Sequence, residues 1–224
     1  EKEIVDLVNQ AGGCLIGPNC IGVLTHDYAG VFTEPIPRLE PTGVDFVSGS
    51  GGTAVFIMES AIPKGLTFSR VISVGNSAQL GVEEVMEYWD LKSGSEAQAR
   101  VKLLYIETIH NPDKFLHHAT SLVRKGFRLA AIKAGSSKAG SRAASSHTGA
   151  MASSDSAVEA LFRKAGIVRC YGREELTTVA CVLMSKQMKG KNMAIITHAG
   201  GPAVMLTDAL ESGGVNIPKI PDSP

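Results

Sequence analysis

From Val44 onward the chain alternates short apolar runs with helix-length stretches, and that rhythm limits the folds open to it. The runs are "VDFVS", "SRVISVG", "VKLLYIE", "RLAAIKAG" and "IVRCYG". Between and after them come "GTAVFIMESAIPKG", "GVEEVMEYWDL", "NPDKFLHHATSLVRKG", "SDSAVEALFRKAG" and "REELTTVACVLMSKQM". A strand with one wet face alternates apolar and polar residues. These are nearly continuously apolar, so both of their faces should be covered. Covered strands that alternate with helices form a parallel sheet. The pattern therefore predicts an α/β fold with a flavodoxin-like, doubly wound parallel sheet. Asn111 followed by Pro112 marks one helix start, as N-cap and first helical residue. In such sheets ligands sit beyond the carboxyl ends of the strands.

The flanks break the rhythm. "EKEIVDLVNQAGG" has an apolar face of Ile4, Val5, Leu7 and Val8 and stops at Gly12-Gly13, so it reads as a last helix. "CLIGPNCIGVL" reads as a short strand, a Gly17-Pro18-Asn19 turn and a second short strand. "TEPIPRLEPTG" holds three prolines in eleven residues, the composition of a linker. Near the other end, "ITHAGGPAVMLTDALESGGV" aligns with "VSGSGGTAVFIMESAIPKGL". Gly51, Gly52, Ala54, Val55 and Gly65 match Gly200, Gly201, Ala203, Val204 and Gly214, which reads as an internal repeat. The expected organisation is 1–41, a remnant of one domain plus linker; 42–188, the flavodoxin-like domain; and 189–224, the start of a second, similar and truncated unit. Both ends are expected to cut through domains.

Composition excludes some classes of partner. Lys plus Arg and Asp plus Glu are equal at 22 each, which gives no reason to expect nucleic acid or an anionic membrane. No apolar run is long enough to span a bilayer. Cys14, Cys20, Cys170 and Cys181 lack metal-site or paired spacing, so a reducing cytoplasm is expected.

Four features point to chemistry. Two helices should each begin at a Gly-Gly directly after a strand, at Gly51-Gly52 and at Gly200-Gly201. Glycine there leaves backbone N–H groups open to an anion, which the helix dipole favours. Ser48, Ser50 and Thr53 add hydroxyls to the first site, and Thr197 and His198 flank the second. Packing alone also asks for glycine at such turns, and neither site has P-loop or G-x-G-x-x-G spacing. The third feature is the loop from Ala134 to Ala150, plain except for His147, whose ring nitrogen is a good nucleophile near neutral pH. A surface histidine in a flexible loop is the plainer reading. Glu107, the fourth, ends its strand where the carboxyl edge opens; an acid there can accept from one imidazole nitrogen and leave the other free to attack. His117 and His118 adjoin on a helix, so at most one should face any site, and no metal constellation is expected. Lys133, Lys138 and Arg142 read as ordinary exposed cations beside the loop.

Together these residues resemble the NDP-forming acyl-CoA synthetases, the superfamily of succinyl-CoA synthetase and ADP-forming acetyl-CoA synthetase. "LIGPNCIGV" looks like the family's G-P-N-C loop, which would set Asn19 beside the substrate. "VSGSGGTA" is similar to its S-x-S-G motif, "SVGN" to the next strand end, and "LYIE" to the strand that carries its glutamate. "KAGSSKAGSRAASSHTGA" closely resembles the loop of its phosphorylated histidine. The resemblance implies reversible conversion of acyl-CoA, ADP (or GDP) and phosphate into acid, CoA and nucleoside triphosphate, through an acyl phosphate and a phosphohistidine. His147 would be the phosphohistidine and Glu107 its orienting acid. Phosphate would meet Ser48, Ser50, Gly51, Gly52, Gly200 and Gly201. CoA and ADP/ATP would be substrates, with Mg2+ bound beside the nucleotide outside this chain. An ATP-grasp domain or subunit, a CoA-binding domain, a small-molecule acid and an oligomer are implied as partners. One departure is "SAQLG" after "SVGN", where the family often has an acid. Two other readings stay open: an α/β serine hydrolase using Ser50, Glu107 and His147, and a non-catalytic acyl-CoA or nucleotide-sensing module.

Overall fold

The computed structural model describes residues 1–94, 99–137, 139–140, 142 and 154–219. They divide into two compact units, Glu1–Ser185 and Lys186–Pro224.

The first unit opens with α1 (Lys2–Gln10), followed by the hairpin strands β1 (Gly22–Thr25) and β2 (Tyr28–Val31). Then come β3 (Leu39–Ser48), α2 (Gly51–Ala61), β4 (Phe68–Ser73), α3 (Val82–Lys92), β5 (Val101–Ile106), α4 (Pro112–Arg124) and β6 (Arg128–Lys133). The unit ends with α5 (Asp155–Ala165), β7 (Val168–Cys170) and α6 (Arg173–Met184). Strand order is β2-β1-β4-β3-β5-β6-β7. Neighbours from β4 to β7 pair in parallel, and β1 is antiparallel to both β2 and β4. Counting only the parallel strands in chain order gives 2-1-3-4-5, the flavodoxin-like winding.

Successive strand residues face opposite sides, so the continuous apolar runs feed two cores. Val47, Leu104 and Ile106 pack with Met86, Trp89, Phe115 and Phe162 from α3, α4 and α5. Phe46 and Leu103 pack with Ile57, Met58 and Leu176 from α2 and α6. Each large side chain so buried contributes about 1.5–3 kcal/mol. Asn111 caps α4 as expected, its Oδ1 accepting from the Lys114 N–H at 3.0 Å. One buried ion pair crosses the sheet: Asp45 and Lys102, register partners on β3 and β5, are both fully buried and hydrogen-bonded.

Three details depart from the sequence-based expectation. "CLIG" makes only a single bridge, Ile16 to Leu80. β2 was not expected; it follows β1 after a two-residue turn, with Thr25 opposite Tyr28. The proline-rich stretch runs into the sheet, because β3 begins at Leu39 and its pairing with β4 slips between Leu39 and Asp45. Pro41 lacks a donor, and a slipped register at a strand start tolerates that.

In the second unit, α7 (Gly200–Ser212) begins at the expected glycine. Its expected flanking strands appear only as one parallel bridge, Asn192 to Asn216. Ile196 is 95% exposed and α7 buries none of its residues. Extended segments without neighbours to complete a sheet have little to hold them in strand form.

Candidate functional site

The 2-1-3-4-5 order reverses between β3 and β5, and there the loops leaving the two strands diverge and open a crevice. The β3–α2 turn, the segment after β4, the start of the β5–α4 loop and the Gly17–Ile21 loop line a cleft of about 420 Å³.

Ser50 is the N-cap of α2, with extended backbone at φ −134°. Its Oγ accepts from the Thr53 N–H at 3.4 Å and from the Thr53 hydroxyl at 3.1 Å. With both acceptor positions taken, its own proton is left to donate toward the cleft. Ser48, expected to meet phosphate, is fully buried. Its Oγ–H donates to the Ser50 carbonyl at 2.7 Å and the oxygen accepts from the Ser50 N–H at 3.2 Å. It shapes the turn from below.

The two glycines of this turn differ. A Cβ on Gly51 would lie 2.6 Å from Ile21 Cγ2, so close packing demands that glycine. A Cβ on Gly52 would meet nothing within 4 Å. Packing therefore does not explain Gly52, which leaves the first turn of α2 uncovered where the dipole favours an anion.

Glu107 lies at the facing edge, half-buried and lining the cleft. A Cβ on Gly49 would stand 3.8 Å from Glu107 Cγ, which places this acid against the β3–α2 turn. The loop that follows is tied down by Glu83, a residue that sequence reasoning missed. Its buried carboxylate accepts from the backbone N–H groups of His110 at 2.6 Å and Asn111 at 3.0 Å. An acid at the second position of a helix reads as a dipole partner, so nothing in the sequence signalled this reach.

The Gly17–Ile21 loop is stapled to the end of β4. The Pro18 carbonyl accepts from the Asn76 N–H at 2.9 Å, and the Gly17 carbonyl accepts from the Ala78 N–H at 3.0 Å. Asn19 Nδ2 donates to Asn76 Oδ1 at 3.3 Å. Gly75 has φ +54°, and a Cβ there would sit 2.2 Å from the Pro18 oxygen. Asn19 thereby reaches the cleft beside Asn76.

Two charged groups need correction. Lys133 is buried at 4% exposure, not an exposed cation. Burial pushes its ammonium below the ordinary lysine value, against the pull of Asp155 and Glu107. His117 and His118, expected to be unable to share a site, have rings 4.9 Å apart and bring donor atoms within 4.8 Å of Asp90. Asp90 is already engaged: Oδ1 accepts from Ser121 and Lys125, each at 2.7 Å, and Oδ2 partners His118 Nδ1 at 2.9 Å. The cluster joins α3 to α4 away from the cleft. Arg142 is exposed, as expected. Lys138 and His147 lie outside the described residues. Gly200 and Gly201 belong to the second unit, at the start of α7, where a Cβ on either would meet nothing within 4 Å.

Among the described residues no helix is long and apolar enough to cross a membrane. The succinyl-CoA ligase like flavodoxin domain matches residues 41–183. Among curated proteins, an ADP-forming acetate–CoA ligase of Archaeoglobus fulgidus is 36% identical over 96% of this chain and 30% of its own length. The alpha subunit of ADP-forming acetate–CoA ligase II of Pyrococcus furiosus is 35% identical over 97% of this chain and 46% of its own. The chain thus spans less than half of either relative. Among solved structures, an acetyl-coenzyme A synthetase 1 of Ca. Korarchaeum cryptofilum, in complex with phosphate and ADP, superposes with a TM-score of 0.84. It is 26% identical and covers 98% of this chain and 47% of its own. Through its succinyl-CoA ligase-like flavodoxin domain, this chain belongs to the NDP-forming acyl-CoA synthetase family.

Proposed function

We propose that the chain is the phosphoryl-handling part of an acid–CoA ligase that interconverts acyl-CoA, ADP and phosphate with acid, CoA and ATP. One observation carries the reading. The open helix start at Gly52, the Ser50 hydroxyl and the Glu107 carboxylate meet in one cleft at the switch point of the sheet. Phosphate first attacks the thioester carbonyl, and the acyl–sulfur bond breaks to give acyl phosphate and CoA. A nitrogen of His147 then attacks the phosphorus, and the P–O bond to the acyl group breaks with release of the carboxylate. ADP takes the phosphoryl group from nitrogen and becomes ATP. Glu107 accepts from the other imidazole N–H, which holds the tautomer and favours the cation that forms. The α2 N-terminus and the Ser50 hydroxyl donate to phosphoryl oxygens, Gly51 allows the close approach of α2 to Ile21, and Ser48 keeps the turn in shape. Gly200 and Gly201 offer a comparable helix start in the second unit, and Asn19 stands at the substrate side of the first.

Nucleotide and CoA are assigned to other domains or subunits, an ATP-grasp partner and a CoA-binding domain, in an oligomer in the cytoplasm. Mg2+ belongs with the nucleotide. The described carboxylates lining the cleft are Glu1 and Glu107; an ion that keeps several of its waters and is held mainly by nucleotide phosphates would ask for one or two carboxylates at most. The test uses phosphoramidate, which donates to histidine without nucleotide. Acid-labile phosphate should map by mass spectrometry to His147 and be lost in His147→Ala, and Glu107→Gln should slow labelling by roughly 10²-fold. Equal, slow labelling of all six histidines would sink the proposal.

A further inference from the structure

Glu107 and Thr108 form a short bridge between two fixed points of the chain. Before them, the Ile106 carbonyl at the end of β5 accepts from the Ala134 N–H at 2.9 Å. After them, Ile109 is buried in the α3–α4 core. The N–H groups of His110 and Asn111 then donate to one oxygen of Glu83, Oε1, at 2.6 and 3.0 Å. Glu107, Thr108 and His110 all line the cleft. Their anchor therefore comes from a different connection, because Glu83 is the second residue of α3 and is only 2% exposed. Its neighbours on α3 bridge the same two helix starts. Glu84 accepts from the Gly81 N–H at 2.8 Å through Oε2 and from Lys114 Nζ at 2.9 Å through Oε1, and Glu87 pairs with Lys114 at 2.6 Å. The starts of α3 and α4 are thus bound to each other, and the segments leading into them form one wall of the cleft.

We propose that Glu83 is a positioning residue for phosphoryl transfer, acting through the Glu107–His110 segment to hold the Glu107 carboxylate in place. The role rests on the reading of Glu107 as the acid that orients His147. His110 and Asn111 precede α4, so no carbonyl of that helix can accept from their N–H groups. Without Glu83 these donors must turn to water, and the segment that turns carries Glu107 with it. A carboxylate at the start of α3 also meets the positive end of that helix dipole. The two roles ask for different things: the dipole asks for charge, and the loop asks for reach. A single oxygen serves both N–H groups, so an amide oxygen on a side chain of the same length can take its place. A carboxylate shorter by one carbon–carbon bond, about 1.5 Å, falls outside hydrogen-bond distance.

The experiment compares the 224-residue chain with two variants. Glu83→Gln keeps the reach and loses the charge, and Glu83→Asp keeps the charge and loses the reach. Hydrogen exchange of the His110 and Asn111 amides is followed by nitrogen-15 NMR, and phosphoramidate labelling of His147 is timed against phosphoramidate concentration. In Glu83→Gln both amides should stay protected and the limiting rate should match the parent's. In Glu83→Asp both amides should exchange roughly tenfold faster, the scale of one hydrogen bond to a charged group. Its limiting rate should fall by roughly 10- to 100-fold, the cost of a displacement of up to about 1 Å. The concentration at half the limiting rate should hold, because Ser50 and the α2 N-terminus lie on the other wall. Labelling of Glu83→Asp at the parent's limiting rate overturns the proposal, as does unchanged exchange of its two amides. Glu83→Gln as the slower variant assigns Glu83 to the helix dipole instead, and a raised half-rate concentration in Glu83→Asp means general loosening; either overturns it. If the unsubstituted chain does not label His147, the reading of the active site falls, and the amides alone decide whether Glu83 sets the loop. Should Glu83→Asp not fold, Glu83→Gln decides, since a protein without the charge must still label at the parent's limiting rate.

Discussion

Single atoms separate residues that the sequence makes look alike. Gly51 and Gly52 are adjacent and both small, yet one answers to packing and the other to an open helix end. Gly51→Ala would drive a methyl group to 2.6 Å from Ile21 Cγ2, and forcing an extra carbon into a packed contact costs about 1–3 kcal/mol. Gly52→Ala meets no neighbour, and in a helix the change from Gly to Ala favours folding by about 0.5–1 kcal/mol. Denaturant unfolding should therefore rank Gly52→Ala at or above the parent and Gly51→Ala below it. Histidine phosphorylation should rank them differently, because the new methyl group at 52 narrows the approach to the α2 N–H groups. If both variants lose stability equally, the assignment of Gly51 to packing and Gly52 to anion approach is wrong. Glu107 and Ser50 were legible in the sequence because a strand end and a helix start are local events. Ser48 and Lys133 were not: whether a polar residue at a strand end faces the cleft or the core depends on the neighbouring strand and on the chain above it. Glu83 was hidden for the same reason, since its partners are backbone groups 27 and 28 residues away.

At the scale of elements, continuous apolar runs identified the five parallel strands, because burial on both faces leaves its mark on every residue. The β1–β2 hairpin left no such mark. β1, with one buried residue in four, was read as a short strand, but β2 has no buried residue, so its run carries no pattern to read and the hairpin was missed. Contacts between helices were also unreadable, and the Asp90 cluster is the clearest case. It joins α3 to α4 through Ser121, Lys125 and His118. Burial pushes the Asp90 carboxyl upward, but the bonds from Lys125, His118 and Ser121 outweigh it and hold the group below its usual 3.8. A group depressed in the folded state stabilises the fold above its unfolded value and loses that contribution as pH falls through the folded one. Stability from this cluster should thus be complete near neutrality and drop below about pH 4. Asp90→Asn should lower stability by about 1–3 kcal/mol at pH 7 and flatten the pH dependence below pH 4. Parallel pH curves for the two proteins would show that Asp90 contributes no charge-linked stability.

At the scale of the whole molecule, the contrast is between a unit with two cores and a unit with none among its described helical residues. Every residue of both cores lies between Ile21 and Ala180. Arg128 of β6 donates to the carbonyl of Leu183 in α6 and to that of Ser185, the last residue of the first unit. The first unit should therefore fold without Lys186–Pro224. A chain ended after Lys186 should unfold at a midpoint within a degree or two of the parent's, with the same cooperativity per residue of the sheet, since no buried apolar side chain of either core is removed. The converse piece, 186–224, buries no face of α7. An isolated helix of 13 residues is marginal in water, so this piece should show little helix by circular dichroism when alone. The repeat of "VSGSGGTA" in "ITHAGGPA" lets the two copies be compared: both form the helix after Gly-Gly, but only the first forms the strand before it. At the first copy β3 has β4 and β5 on either side, whereas the described second copy makes a single bridge. Local pattern proposes an element, and neighbouring strands decide whether it forms. A midpoint lowered by many degrees in the shortened chain would show that the second unit supports the first, and that the two are one cooperative body.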